Sequence, residues 1–134
     1  MEDQSEVKRF SFVKRAKSFT YAGRGIWIVL KTTHNAWIHL VIFAAAIILG
    51  LYYRISNIDW ILLVCMAGVV LAAEAFNTAI EIDIDLTSPQ YHPYARDTKD
   101  VAAGAVLITA IAAAIVGAII FAPYVQGTIQ SVLL

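Results

Sequence analysis

The sequence predicts an all-α integral membrane protein with one surface helix at its N-terminus and three transmembrane helices. Three observations support this fold class. Of the 134 residues, 60% are hydrophobic and the mean hydropathy is +0.71, whereas soluble domains are about half apolar. Three apolar runs have the length needed to cross a bilayer. A basic segment precedes the first run. Together they indicate a single membrane domain over residues 1–134.

The basic segment, residues 7–31, is predicted to be an amphipathic helix at the membrane surface. Apolar residues recur along it at helical spacing, and seven of the ten Lys and Arg residues precede residue 32. Such a helix lies in the interface with its cations toward anionic headgroups. The alternative is a soluble helix packed on a partner. The segment carries no recognised nucleic-acid-binding motif, so we expect no nucleic-acid partner.

The three apolar runs are predicted to be membrane spans. The first covers residues 36–53, and the second covers residues 59–85 with a cytoplasmic extension. A polar loop with two prolines follows over residues 86–98, and the third span covers residues 99–122, where Pro123 is expected to end it. The excess of Lys and Arg in the N-terminal segment places the N-terminus in the cytoplasm. The loop is then cytoplasmic too.

An acidic stripe marks the cytoplasmic end of the second span. At about 100° per residue, four polar side chains fall within an arc of about 80° on one helix face. They are Glu74, Asn77, Glu81 and Asp85. Asp83 points to the opposite side. Each charge at the centre of a membrane helix costs roughly 2.5–3.5 kcal/mol, so such groups usually face a cavity, a metal or a partner. The alternative is the solvated end of a helix that leaves the bilayer.

The residue types of the stripe suit phosphoryl transfer to a lipid alcohol. A carboxylate at the interface, Glu74, is able to take the proton of a hydroxyl at the same depth. A carboxylate nearer to water, Glu81, suits Mg²⁺ on a polyphosphate. Lys99 suits the oxygens of a transferring phosphoryl group. Acidic stripes also serve proton relays and ion paths, so the spacing alone leaves these functions open.

Three segments around the stripe carry a specific pattern. They are Glu74-x-x-Asn77-Thr-Ala-Ile-Glu81-x-x-x-Asp85, Tyr91-His92-Pro93 and Lys99-Asp100-Val-Ala-Ala-Gly-Ala-Val-Leu107. Together they closely resemble the prokaryotic diacylglycerol kinase family, which includes undecaprenol kinases. The resemblance implies a homotrimeric helical bundle in the bacterial inner membrane, with active sites shared between neighbouring chains. It also implies phosphorylation of a membrane lipid alcohol, with ATP as co-substrate and Mg²⁺ as cofactor.

The resemblance further implies a role for each matching position. Glu74 is the expected general base, and Glu81 is the expected metal ligand. The positions expected around the nucleotide are Lys14, Tyr21, Asn77, Glu81, Gln90, Tyr91, His92, Lys99 and Asp100. We expect His39 to be an interfacial hydrogen-bonding residue, with a catalytic role as the alternative.

One position departs from the family pattern. Thr33 stands where the family usually has a Glu that is the second metal ligand. A neutral hydroxyl is a much poorer ligand for a hard cation than a carboxylate, and Asp83 faces away from Glu81. A water, His34 or a carboxylate of a neighbouring chain is left to compensate.

Two functions of different classes follow, with a weaker third. The first is a lipid kinase acting on undecaprenol or diacylglycerol, and the segment Val101-Ala-Ala-Gly-Ala-Val-Leu107 favours the undecaprenol branch. The second is a non-catalytic trimeric membrane protein that binds nucleotide or lipid without turnover, which Thr33 keeps open. The third is a small proton or ion pathway.

Overall fold

The computed structural model describes residues 12–133, which form four helices. They are α1 (Phe12–Thr32), α2 (His34–Tyr53), α3 (Asn57–Thr87) and α4 (Pro93–Leu133). No strand occurs in this part of the chain, which confirms the all-α prediction. Residues 7–11 of the expected surface helix lie outside the described residues.

Three of the helices are long and apolar enough to cross a membrane. They cover His34–Tyr53, Asn57–Thr87 and Pro93–Ser131. Only 11% of the apolar stretch in each of them is buried within the bundle. So large an exposed apolar surface would favour association in water, but it suits contact with lipid chains. The transmembrane character of the chain is therefore confirmed, while the position of α1 at the membrane surface stays a prediction.

The third helix is the centre of the bundle, because α3 packs against each of the other three helices. Its buried residues lie near its middle and are Val70, Glu74, Asn77 and Thr78. Ala36 of α2 and Ala102 of α4 are also buried. Small residues at such contacts let helix backbones approach closely. The first two residues of the polar stripe, Glu74 and Asn77, therefore lie within the packed part of the bundle.

The turn between α2 and α3 has its backbone groups satisfied. Arg54 takes the left-handed conformation with φ 50°, and its N–H donates to the carbonyl of Gly50. A capping box begins α3: the Asp59 N–H donates to Ser56 Oγ at 3.2 Å, and the Ser56 N–H donates to Asp59 Oδ2 at 3.1 Å. These bonds fix the antiparallel course of α2 and α3.

Two boundaries of the last helix correct the sequence prediction. α4 begins at Pro93 and not at residue 99, because proline suits the first turn of a helix, where its missing N–H has no partner to lose. The loop is accordingly shorter than residues 86–98. α4 also continues through Pro123 to Leu133 and does not end at residue 122. An internal proline removes only one intrahelical hydrogen bond, so a helix is able to continue through it.

A methyl group at residue 50 is expected to destabilise the bundle. A Cβ on Gly50 would lie 2.8 and 2.9 Å from two ring carbons of Trp60 and 3.0 Å from Ile55 Cδ1, so the indole would have to move. We expect Gly50→Ala to lose about 1–3 kcal/mol, as overpacked sites do, and to unfold at a lower temperature in detergent. Gly68→Ala is the control, because a Cβ there meets nothing within 4 Å. Equal melting temperatures for the two variants would contradict this packing.

Candidate functional site

A cavity of about 310 Å³ lies at the end of the bundle where α2 begins and α3 ends. It is lined by Thr33, Asn35, Ile38, His39, Glu74, Asn77, Glu81, Ala103, Val106, Leu107 and Ala110. The polar groups come from α3 and from the start of α2, while α4 contributes only apolar side chains. The cavity therefore has one polar wall and one apolar wall.

The acidic stripe of α3 passes from a buried to an exposed environment. Glu74 is fully buried and Asn77 is 7% exposed, Glu81 is half-buried, and Asp85 is exposed. The first three line the cavity, and Asp83 on the opposite face is exposed. The predicted common face is thus correct for the three lining residues. The alternative of a merely solvated helix end is wrong for Glu74.

The carboxylate of Glu74 lies beside the imidazole of His39. The His39 Nε2 atom is 3.2 Å from Glu74 Oε1, yet neither Glu74 oxygen has an aligned hydrogen-bond donor within the described residues. Buried carboxylate oxygens normally have donors. This carboxylate is therefore an available acceptor on the cavity wall, and a hydroxyl group that entered the cavity would satisfy it.

A second polar pair lies one to two turns closer to the end of α3. The Asn77 Nδ2 atom donates to Glu81 Oε1 at 3.0 Å, and the buried Asn77 Oδ1 has no hydrogen-bond partner in the described part of the chain. Carboxylate and amide oxygens are ligands that Mg²⁺ accepts in proteins. No cluster of three His, Cys, Asp or Glu side chains suited to a metal occurs among the described residues. One chain therefore fits part of a magnesium site.

Thr33 is bound to α3 by its hydroxyl. Thr33 Oγ1 lies 2.9 Å from Thr78 Oγ1, and Thr78 Oγ1 donates to the carbonyl of Glu74 at 2.9 Å. Because a hydroxyl has a single proton, Thr33 is the donor to Thr78. Thr33 precedes α2 as its N-cap residue but makes no side-chain cap hydrogen bond. Its side chain thus links the start of α2 to α3 and brings no charge to the cavity.

The predicted residues Lys99 and Asp100 lie outside the cavity. Lys99 Nζ is 2.8 Å from Asp85 Oδ1, so the last member of the stripe holds the lysine near the end of α3. Asp100 Oδ2 is 3.9 Å from Arg96 Nε in the next turn back along α4. The ion pair of Asp85 brings Lys99 to the water-facing side of the stripe, one turn beyond Glu81.

The remaining predicted nucleotide residues are exposed in this chain. They are Tyr21 on α1 and Gln90, Tyr91 and His92 in the loop before α4. The backbone N–H of Tyr94 donates to His92 Nδ1 at 3.3 Å, which orients that ring. The side chain of Lys14 lies outside the described residues. None of the four exposed residues lines the cavity, so their nucleotide role stays a prediction.

Two residues of the site were not among the sequence-predicted site residues. Sequence reasoning gives His39 an interfacial hydrogen bond, whereas the structure places it beside the buried Glu74. Thr78 is 3% exposed and joins Thr33 to the helix backbone. The sequence did contain a signal for His39: it and Glu74 are ionisable residues in predicted spans, and such residues tend to pair with one another. Thr78 gave no such signal.

Known proteins match nearly the whole chain. A sequence model described as prokaryotic diacylglycerol kinase matches residues 20–121, a range that contains every cavity residue. An undecaprenol kinase of Bacillus subtilis (strain 168) is 38% identical over 122 residues, which cover 91% of this chain and 95% of that protein.

Two diacylglycerol kinases are more distant or shorter matches. That of Synechocystis sp. is 39% identical over 107 residues, which cover 79% of this chain and 61% of that protein. That of Escherichia coli (strain K12) is 26% identical over 107 residues, which cover 79% of this chain and 85% of that protein.

Proposed function

This chain belongs to the prokaryotic diacylglycerol kinase family, and from that premise we propose that it transfers the γ-phosphate of MgATP to undecaprenol at the cytoplasmic membrane surface. That it is a lipid kinase follows from the family and from its named relatives. Undecaprenol is favoured because the relative matched over almost the full length of both chains carries that name. The observation that carries the proposal is the buried carboxylate of Glu74 on the cavity wall, which lies beside His39 and has no aligned hydrogen-bond donor within the described residues.

Glu74 is the proposed general base. In the transfer, the O–H bond of the acceptor breaks and its proton passes to Glu74, while the acceptor oxygen bonds to the γ-phosphorus and the bond to ADP breaks. Glu74 is seven residues before Glu81, about 10 Å deeper along the helix axis. A hydroxyl anchored in lipid approaches from that deeper side. His39, 3.2 Å away, holds the carboxylate in place.

The phosphates belong at the water-facing end of the stripe. Glu81 and Asn77 Oδ1 would hold Mg²⁺, which when bound neutralises charge on the transferring phosphoryl group. Lys99, oriented by Asp85 at 2.8 Å, adds a cation beside them. Because one chain supplies only part of the ligand set, we propose a homotrimer in which a neighbouring chain completes each site. Tyr21, Tyr91 and His92 would contact the nucleotide.

A second candidate function is binding of nucleotide or lipid without turnover. It is favoured by one observation, the Thr33 hydroxyl that donates to Thr78 in place of a second acidic metal ligand. A weakly held metal would lower turnover without removing the cavity. The two candidates differ in whether the natural chain phosphorylates a lipid alcohol in mixed micelles.

Replacing the proposed base is expected to abolish most turnover. Glu74→Gln keeps the shape of the side chain but removes the proton acceptor, so kcat for undecaprenol should fall by about 10²–10⁴-fold with little change in the KM for ATP. Transfer of labelled phosphate from ATP in mixed micelles measures this. Asp83→Asn, on the exposed opposite face, is the matched control and should keep full activity. An active Glu74→Gln variant would exclude Glu74 as the base.

Changes at His39 are expected to act through the base. His39→Ala removes the imidazole that lies 3.2 Å from Glu74, and we expect kcat to fall about tenfold because the base loses the polar neighbour that positions it. His39→Gln, which keeps an N–H donor of similar reach, should recover part of the rate. The KM for ATP should stay unchanged in both variants. Equal kcat values for the Ala and Gln variants would contradict this positioning role.

A carboxylate at residue 33 is expected to strengthen the metal site. Thr33→Glu adds a hard oxygen ligand to the cavity that contains Glu81, so the Mg²⁺ concentration for half-maximal activity should fall. Thr33→Gln, with the same length and no charge, is the control. An inert natural chain that gains turnover with Thr33→Glu would establish the binding function for the natural protein. If the natural chain, Thr33→Glu and Thr33→Gln are all active with the same Mg²⁺ dependence, residue 33 is not part of the metal site.

A further inference from the structure

An apolar cleft continues from the polar cavity into the membrane-spanning part of the bundle. It has a volume of about 400 Å³ and lies between α2 and α4, over α3. His39 and Ala110 line both the cleft and the polar cavity. The two spaces therefore adjoin at His39 and Ala110, with Glu74 in the lining of the polar space and Phe121 in the lining of the apolar one.

The walls of the cleft differ in size. α2 and α3 contribute Leu49, Leu63 and Met66, while α4 contributes small residues from Ala110 to Gly117. From Ala110 to Phe121 the cleft extends eleven residues along α4, which is about 16 Å. Its walls beyond His39 are apolar, which suits a hydrocarbon occupant and excludes a charged one.

The cleft ends near the opposite boundary of the bundle. Just beyond Phe121, the rings of Tyr53 and Tyr124 lie 5.7 Å apart, and the hydroxyl of Tyr124 lies 3.4 Å from Asp59 Oδ2. Tyrosines with a polar partner are typical of a membrane–water interface. The cleft thus lies within the depth of the lipid chains.

A larger apolar groove on the other side of α3 is a competing location for a lipid chain. It has a volume of about 590 Å³, lies mainly between α1 and α3, and shares no lining residue with the polar cavity. The hydrogen bond from Thr33 to Thr78 lies between them, since Thr33 lines the cavity and Thr78 lines the groove. A chain in this groove would not deliver its hydroxyl to Glu74.

We propose that the cleft binds the hydrocarbon chain of the acceptor and selects a lipid alcohol with a single chain. The inference rests on the proposed function. A polyprenol carries its hydroxyl at the end of one chain, so a hydroxyl on Glu74 places that chain directly along the cleft. A diacylglycerol has two chains next to its hydroxyl, and a single cleft adjoins the cavity at His39 and Ala110 to receive them. Gly117 has no side chain to fill the cleft on the α4 side, and it is therefore the residue that determines this specificity.

A side chain at residue 117 tests the cleft. A Cβ on Gly117 meets nothing within 4 Å, and Gly117 lines the cleft, so Gly117→Leu adds side-chain volume to the cleft and improves helix propensity. We expect the KM for undecaprenol to rise about tenfold with kcat retained, because the lost contacts stabilise the bound lipid and the transition state equally. Gly68→Leu is the matched control: it meets nothing within 4 Å, lines none of the three spaces, and should keep the natural KM.

A second measurement does not need turnover. A polyprenol with a photoreactive diazirine at its far chain end should label α4 between residues 110 and 121, and excess undecaprenol should compete. Gly117→Leu should lose this labelling, and Gly68→Leu should keep it. Labelling of α4 in a chain without kinase activity would support the cleft and refute the proposed function.

Three results would overturn the cleft proposal. The first is labelling at Ile26 or Leu71, which line the larger groove. The second is a natural KM for undecaprenol in Gly117→Leu. The third is a changed oligomer size of Gly117→Leu in detergent, which would show that a helix of a neighbouring chain occupies the cleft.

Discussion

The burial of one carboxylate, that of Glu74, constrains the whole site. A charge in the middle of a membrane helix costs roughly 2.5–3.5 kcal/mol, and contacts with lipid chains do not offset this cost. Glu74 is instead enclosed by the bundle, with His39 of α2 at 3.2 Å. This arrangement requires α2 and α3 to meet at that depth. The apolar wall from α4 then closes the cavity on its other side.

In the proposed function, the stripe on α3 also separates the two substrates by depth. Glu74 is buried, Glu81 is half-buried and Asp85 is exposed, and these residues span eleven positions, about 16 Å along the axis. A lipid hydroxyl reaches the site from the membrane, whereas a triphosphate reaches it from water. Glu74, the carboxylate suited to accept a proton, lies at the membrane end. Glu81, the proposed ligand for a cation, and Lys99, which is held by Asp85, lie toward the water-facing end. A lipid kinase needs this order.

The helices and the stripe were predictable from the sequence, because both follow from local physics. Apolar length fixes the spans, and an advance of 100° per residue places Glu74, Asn77 and Glu81 on one face. The wrong end at Pro123 comes from treating proline as a helix stop, although an internal proline removes only one intrahelical hydrogen bond. The pairs His39–Glu74 and Thr33–Thr78 depend on the rotation and register of α2 against α3, which no single segment encodes.

The hydroxyl of Thr33 affects the stability of the site differently with and without a bound cation. A carboxylate at residue 33 would add a negative charge to a cavity that already contains Glu74 and Glu81. Without a cation, like charges so close repel each other at a depth where water screens them poorly. Thr33 replaces that repulsion with a hydrogen bond to Thr78 that fastens α2 to α3. We therefore propose that this chain has a more stable metal-free bundle and a weaker hold on Mg²⁺ than the same chain with Glu at residue 33.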